Sequence, residues 1–183
     1  MPFPRIFTAI VTVVFSVAIA ISSVFFDTGL ALALPTVPPP LVAAGGFFPF
    51  FSGIRPTTLG TQDGNLAACP DSPNCVSSQS QDKTHGIAPI PYTASAEEAF
   101  NQLKAVIQTL PRAEIITETT NYLYAEFTSS LMGFVDDAEF YVDPEAQVIQ
   151  VRSASRIGQS DLGINRKRIE TIREKLNGLN FAD

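Results

Sequence analysis

Apolar side chains recur at helical spacing in two segments of the chain. In the first, residues 95–109, Ser95 stands at the N-cap, Glu98 completes a capping box and Pro111 ends the helix. The apolar stripe of this segment consists of Phe100, Leu103, Val106, Ile107 and Leu110. A final helix is predicted over residues 165–177, where the stripe consists of Ile169, Ile172 and Leu176.

Four short segments between these helices are rich in β-branched and aromatic residues, which predicts strands. They are residues 114–119, 122–129, 135–142 and 148–155. The turn sequence Asp143-Pro144-Glu145-Ala146-Gln147 joins the last two as a hairpin. The order helix, four strands, helix predicts an α+β fold, a two-layer sandwich in which a four-stranded antiparallel meander carries both helices on one face. We expect the other face to be polar and open.

Alternation assigns the strand residues to two faces. The apolar face carries Leu123, Ala125, Phe127, Ala138, Phe140, Val142, Ile149 and Val151. The polar face carries Tyr122, Tyr124, Glu126, Asp137, Glu139, Tyr141, Gln150, Arg152 and Arg156. One hairpin register places Glu139 opposite Arg152.

The charged residues of the polar face are candidates for binding a charged or polyhydroxylated ligand. With one residue from the last helix, the candidate set is Glu126, Asp137, Glu139, Arg152, Arg156 and Arg166. The same charges could instead form cross-strand ion pairs worth about 0.2–1 kcal/mol each. We expect no metal, because alternation directs Asp136 away from Asp137. We expect no cofactor either.

Arg166, Lys167 and Arg168 place three cations in the first turn of the last helix, where they oppose the helix dipole. Either internal carboxylates, such as Asp161, or a bound anion should offset them.

The two cysteines, Cys69 and Cys75, lie in a polar loop that also contains two prolines. Residues 1–33 have the pattern of an export signal, and in an exported chain the simplest interpretation of two cysteines is a disulfide. The alternative is a redox or nucleophilic thiol with His85 as its base. One histidine and two cysteines fall short of a four-ligand metal site.

Residues 1–33 have the pattern of a signal peptide, with Arg5, an apolar run and the cleavage sequence Ala31-Leu32-Ala33. An uncleaved membrane anchor is the alternative, and both place the remaining chain outside the cytoplasm.

Residues 34–65 form a linker rich in proline, glycine and phenylalanine, and residues 66–183 form a single α+β domain. The clustered Phe47, Phe48, Phe50 and Phe51 should contact something apolar: their own domain, a partner or a membrane surface.

Composition and the absence of known catalytic motifs reduce the number of possible classes of function. The net charge of −6 argues against nucleic-acid binding. The sequence has one histidine and contains neither a glycine-rich phosphate loop nor a nucleophile elbow. These features favour an exported, non-catalytic binding or assembly module with a protein partner or a small anionic ligand. The alternatives are a small enzyme that acts on an anionic substrate through the carboxylate and arginine face, and a thiol redox module.

Several motifs together resemble the domain-of-unknown-function 1499 family over roughly residues 52–176. They are Arg55-Pro56-Thr57, Leu59-Gly60, the loop of residues 69–79, Val135-Asp136-Asp137, Glu139-Phe140, residues 151–156, Ser160-Asp161-Leu162-Gly163 and residues 165–170. The exported front end is similar to the cyanobacterial or plastid branch. The resemblance implies a domain identity and a periplasmic or thylakoid-lumen setting, and it implies no catalytic residues.

Overall fold

An antiparallel sheet forms one layer of the computed structural model, which describes residues 51–180. Its strands are β1 (Cys75–Ser77), β2 (Ile90–Pro91), β3 (Ala113–Glu118), β4 (Tyr122–Thr128), β5 (Val135–Asp143) and β6 (Val148–Ser155). The helices are α1 (Ala96–Gln108) and α2 (Ile164–Asn180). The strand order is β1-β6-β5-β4-β3, and β2 also pairs with β6. The α+β prediction is confirmed.

The predicted four-stranded meander corresponds to β3–β6, and the described residues add β1 and β2 to it. These two strands contain three and two residues, too few for alternation to show in the sequence. Both form because β6 offers them unpaired backbone groups, β1 from Ser77↔Arg152 to Cys75↔Ala154 and β2 at Ile90↔Ile149. The predicted hairpin register is confirmed, since Glu139 pairs with Arg152.

Both helices pack on the predicted apolar face, and their stripes share one core with it. The α1 stripe and Ile169, Ile172 and Leu176 of α2 contact this core together with the central strands. Ser95 caps α1 as predicted, because its side chain accepts a hydrogen bond from the backbone N–H of Glu98. Only one sheet face is therefore left for other contacts.

The prediction that this second face is open is wrong. Residues 51–66, which we call the strap, cross it, and Leu59 and Leu66 pack against Tyr122 and Tyr124. The strap N–H of Gly60 donates a hydrogen bond to Glu139 Oε1 at 2.8 Å. The strap has no apolar periodicity, so nothing in the pattern predicted that it covers a sheet.

The predicted signal peptide and Phe47, Phe48 and Phe50 lie outside the described residues. Phe51 is described, and its ring lies 5.4 Å from that of Phe134, in the loop between β4 and β5. Within the described part, no helix is both long and apolar enough to span a bilayer.

Candidate functional site

The predicted polar face contains a buried cluster of charges where β4, β5 and β6 adjoin. Glu126 of β4 lies directly opposite Asp137 of β5, and Arg156 follows the end of β6. Arg156 Nη2 lies 2.7 Å from Asp137 Oδ1 and also contacts Glu126 Oε1. Arg55 of the strap reaches the same oxygen of Glu126. One guanidinium therefore bridges two carboxylates, and a second one covers them from the strap.

Tyr124 connects the carboxylates of this cluster. Its hydroxyl lies 2.8 Å from Glu126 Oε1 and also contacts Asp137. Burial raises the pKa of Tyr124, and the hydrogen bonds to Asp137 and Glu126 raise it further. Burial alone would also raise the pKa of Glu126, but hydrogen bonds from Tyr124, Arg156 and Arg55 outweigh it, and the pKa lies below its usual value.

A second buried pair lies further along the same strands. Arg152 Nη1 is 3.0 Å from Glu139 Oε2, and both side chains are almost completely buried. Tyr122 and the strap N–H of Gly60 each donate to Glu139 Oε1 at 2.8 Å. Among the described residues, the Nε of Arg152 is the one buried side-chain nitrogen or oxygen without a hydrogen-bond partner.

This arrangement neutralises the charges internally. The structure brings together five of the six candidate residues in two clusters: Glu126, Asp137 and Arg156 in one, and Glu139 and Arg152 in the other. Acid–base chemistry near neutral pH needs a carboxyl with a raised pKa, whereas the pKa of Glu126 is lowered. The geometry of these clusters therefore favours structural ion pairing over an exposed binding face.

Arg166 lies apart from both clusters. Its guanidinium donates to the backbone oxygens of Thr84 and Gly86. The neighbouring Arg168 pairs with Asp136, which extends from the helix side of the sheet as alternation predicts. Protein groups therefore satisfy both arginines at the start of α2.

Asp161 also offsets these cations. Its two carboxylate oxygens accept hydrogen bonds from the N–H groups of Gly163 and Asn165. Because Asp161 occupies the backbone donors where α2 begins, no external anion is needed to satisfy them.

Cys69 and Cys75 form a disulfide, as the sequence predicted. The loop that they close contacts the start of α2, because Asn165 Nδ2 donates to the backbone oxygen of Asn74 at 2.9 Å. The ring of His85 contacts the Asp82 carboxylate and the backbone oxygen of Ser72. These contacts hold the loop in place. Because the ring of His85 contacts the loop at Ser72, His85 has a structural role here.

An opening with a largely apolar lining lies at one end of the sandwich. It has a volume of about 630 Å³. The loop between α1 and β3, the β4–β5 loop, the β6–α2 loop and the first turns of α2 surround it, together with the ends of β4 and β6. Its apolar lining includes Leu110, Phe127, Phe134, Ile157 and Ile164. We call this opening the end cleft.

The end cleft combines this apolar lining with unpaired positive charge. Of its acidic residues, Asp136 is paired with Arg168, and Asp161 is occupied by backbone N–H groups. Within the described part of the chain, Arg112 and Lys167 line the cleft without a carboxylate partner. The sequence singled out Lys167 as one of three cations that a bound anion could offset. It did not reveal the apolar lining, because those residues come from loops and element ends, where no periodic pattern connects them.

Two more observations concern other possible sites in the described residues. Within residues 51–180 there is no group of three or more histidine, cysteine or acidic side chains placed to hold a metal ion. A smaller cavity of about 390 Å³ lies beside Arg55, Tyr122 and Tyr124, at the edge of the strap.

The comparison with known proteins identifies the family. The profile of the family described as "Protein of unknown function (DUF1499)" matches residues 65–176, which is more than half of the chain. The chain belongs to this family, as its motifs predicted. No curated protein matches the sequence.

Proposed function

We propose that this protein is an exported, non-catalytic binding module, and that the end cleft binds a ligand with an apolar body and an anionic group. The observation that carries the proposal is the apolar lining of the end cleft together with two cations, Arg112 and Lys167, that have no carboxylate partner among the described residues. Arg112 donates its Nε to the backbone oxygen of Thr128, which leaves its terminal nitrogens for a ligand. Its volume of about 630 Å³ lies within the range of small-molecule sites, about 300–1,000 Å³.

Two features support an extracytoplasmic setting, the periplasm or the thylakoid lumen. The first is the signal-like pattern of residues 1–33. The second is the Cys69–Cys75 disulfide, a bond that persists in oxidising compartments. In this setting the protein carries or presents its ligand and does not transform it.

The ligand class follows from the lining. Transfer of an apolar chain from water into contact with Phe127, Phe134 and Ile157 is favourable. An anionic head group can accept a charge-assisted hydrogen bond from Arg112 or Lys167. Dodecanoate and dodecylamine test this pair of requirements, since they share one tail and differ in the sign of the head group.

Calorimetric titration of the full chain with both probes measures the preference. We expect dodecanoate to bind and dodecylamine to bind more weakly. The Lys167→Gln variant should lose about tenfold in dodecanoate affinity, because a charge-assisted contact is worth about 1.5 kcal/mol. The Lys175→Gln variant is the matched control, since Lys175 is an exposed lysine of the same helix that does not line the cleft.

Equal affinity for the two probes would contradict the anionic preference. A Thr171→Trp variant tests the location, because Thr171 lines the cleft and a larger side chain there should fill it. If that folded variant still binds dodecanoate as well as the unmodified protein does, the end cleft is not the site.

A further inference from the structure

The exposed apolar side chains of the domain are concentrated at the end that surrounds the cleft. Of the seven large apolar residues that the structure describes as exposed, six lie there: Ile54, Leu131, Phe134, Ile157, Leu162 and Ile164. Leu162 is 92% exposed and Leu131 is 73% exposed. The seventh, Leu179, lies near the other end of α2.

The strand register places these residues at one end. Thr128, the last residue of β4, pairs with Val135, the first residue of β5, so the loop that contains Leu131 and Phe134 projects there. Ser155, the last residue of β6, pairs with Asp136, so the β6–α2 loop with Leu162 projects from the same end. A Cβ added at Gly53 would lie 3.0 Å from Ile157, which brings the neighbouring Ile54 to this end as well.

We propose that this apolar end is a membrane-docking surface that seats on a lipid bilayer. The proposal goes beyond the ligand of the end cleft and does not depend on it. Side chains that project from separate loops can each enter the interfacial region of a bilayer. A soluble protein gains nothing by exposing large apolar side chains on neighbouring loops, and such a patch usually marks an interaction surface.

The chain that precedes the described residues favours lipid as the occupant. Phe51 packs against Phe134 at this end, so the chain enters the domain there. Phe47, Phe48 and Phe50 stand directly before it in the sequence, after the predicted cleavage site. A cluster of phenylalanines, whose rings favour the apolar side of a membrane interface, therefore leads into the apolar end of the domain.

Charge determines the mode of docking. Arg112 and Lys167 flank the apolar residues, and their long side chains can reach lipid phosphates. The whole chain nevertheless carries a net charge of −6, which opposes a strongly anionic surface. Docking therefore depends on apolar insertion, and it should occur on neutral phosphatidylcholine and persist at high salt.

The absence of tryptophan from the sequence permits a direct test. Single Leu131→Trp and Leu162→Trp variants of the full chain are reconstituted into phosphatidylcholine vesicles, with Leu179→Trp as the control. Leu179 is also exposed, and it lies about 22 Å from Ile164 along α2 at about 1.5 Å per residue. This comparison reports where the domain sits even if the N-terminal segment already holds the chain on the vesicle.

We expect the emission of the Leu131→Trp and Leu162→Trp variants to shift to the blue and to be quenched by brominated lipid. The Leu179→Trp variant should keep the emission of tryptophan in water. Adding Leu131→Asp to the Leu162→Trp variant should abolish the shift, whereas adding Leu179→Asp should not.

Three outcomes would overturn the proposal. In the first, all three positions report water while the chain remains on the vesicle. In the second, the shift appears without lipid and grows with protein concentration, which would identify a second copy of the chain as the partner. In the third, salt abolishes the shift, which would show that charge and not apolar insertion holds the domain on the surface.

Discussion

Arg156 illustrates how strongly one side chain can determine the role of its neighbours. Alternation correctly placed Glu126, Asp137 and Arg156 on one face, but only the structure shows that Arg156 bridges both carboxylates. The sequence also could not show that this face is buried, because its burial depends on the strap, whose Arg55 and Gly60 close over the face.

Replacing Arg156 with alanine should lower the free energy of unfolding by about 3–5 kcal/mol, because two buried carboxylates lose their cation. Arg55→Ala is the matched control, since Arg55 contacts the same oxygen of Glu126 while its own side chain is 52% exposed. This change should cost about 1 kcal/mol or less. Chemical denaturation measures both, and equal losses would show that burial does not set the strength of these pairs.

The strap is the element whose packing the sequence did not reveal. The four long strands and both helices follow from periodicity, because each buries one face and leaves the other for different contacts. The strap instead makes isolated contacts, through Leu59, Gly60 and Leu66. The end cleft escaped prediction for the same reason, since loops and element ends supply its lining.

Gly53 tests how closely the strap fits. Its φ of +68° lies in the left-handed region, and an added Cβ would lie 2.7 Å from Arg156 Cβ. Gly53→Ala should therefore be destabilising through both backbone strain and contact. Gly163→Ala is the control, because its φ is +80° and an added Cβ meets nothing within 4 Å. We expect Gly163→Ala to cost about 1–2 kcal/mol and Gly53→Ala at least about 1 kcal/mol more. Equal costs in denaturation would indicate a loosely packed strap.

The disulfide loop offers a second prediction for an element. Loop-closure entropy for so short a loop gives at most about 2.4 kcal/mol. A protein with both Cys69→Ser and Cys75→Ser should therefore fold and lose about 2 kcal/mol in the free energy of unfolding. Under conditions in which this variant is fully folded, its affinity for dodecanoate should be unchanged. Loss of binding by a folded variant would instead assign the cysteines a role beyond stability.

For the whole molecule, the buried clusters set a range of pH in which the fold is most stable. The folded-state pKa of Glu126 lies below its usual 4.5, so its stabilisation is complete above that pH and disappears as the pH falls through the folded value. The folded-state pKa of Tyr124 lies above its usual 10.0. The contribution of Tyr124 to the free energy of unfolding is therefore present below pH 10.0 and disappears as the pH rises further.

We therefore expect the free energy of unfolding to decline below about pH 4.5 and above about pH 10. Glu126→Gln should make the acid decline less steep, because the variant no longer takes up that proton. Glu145→Gln, in the exposed β5–β6 turn, is the control. Denaturant titrations across the acid range measure the slopes, and identical slopes for the unmodified protein and the Glu126→Gln variant would contradict the assignment.

The strap also has a consequence for the order of folding. Its contacts join residues far apart in the chain, with 71 positions between Arg55 and Glu126 and 79 between Gly60 and Glu139. The strap leaves the ribosome before its partners do, so it must wait until β4, β5 and β6 have assembled. Before it docks, the carboxylates and arginines of those strands face water. We therefore expect the charged sheet face to stay open to water until residues 51–66 close over it during folding.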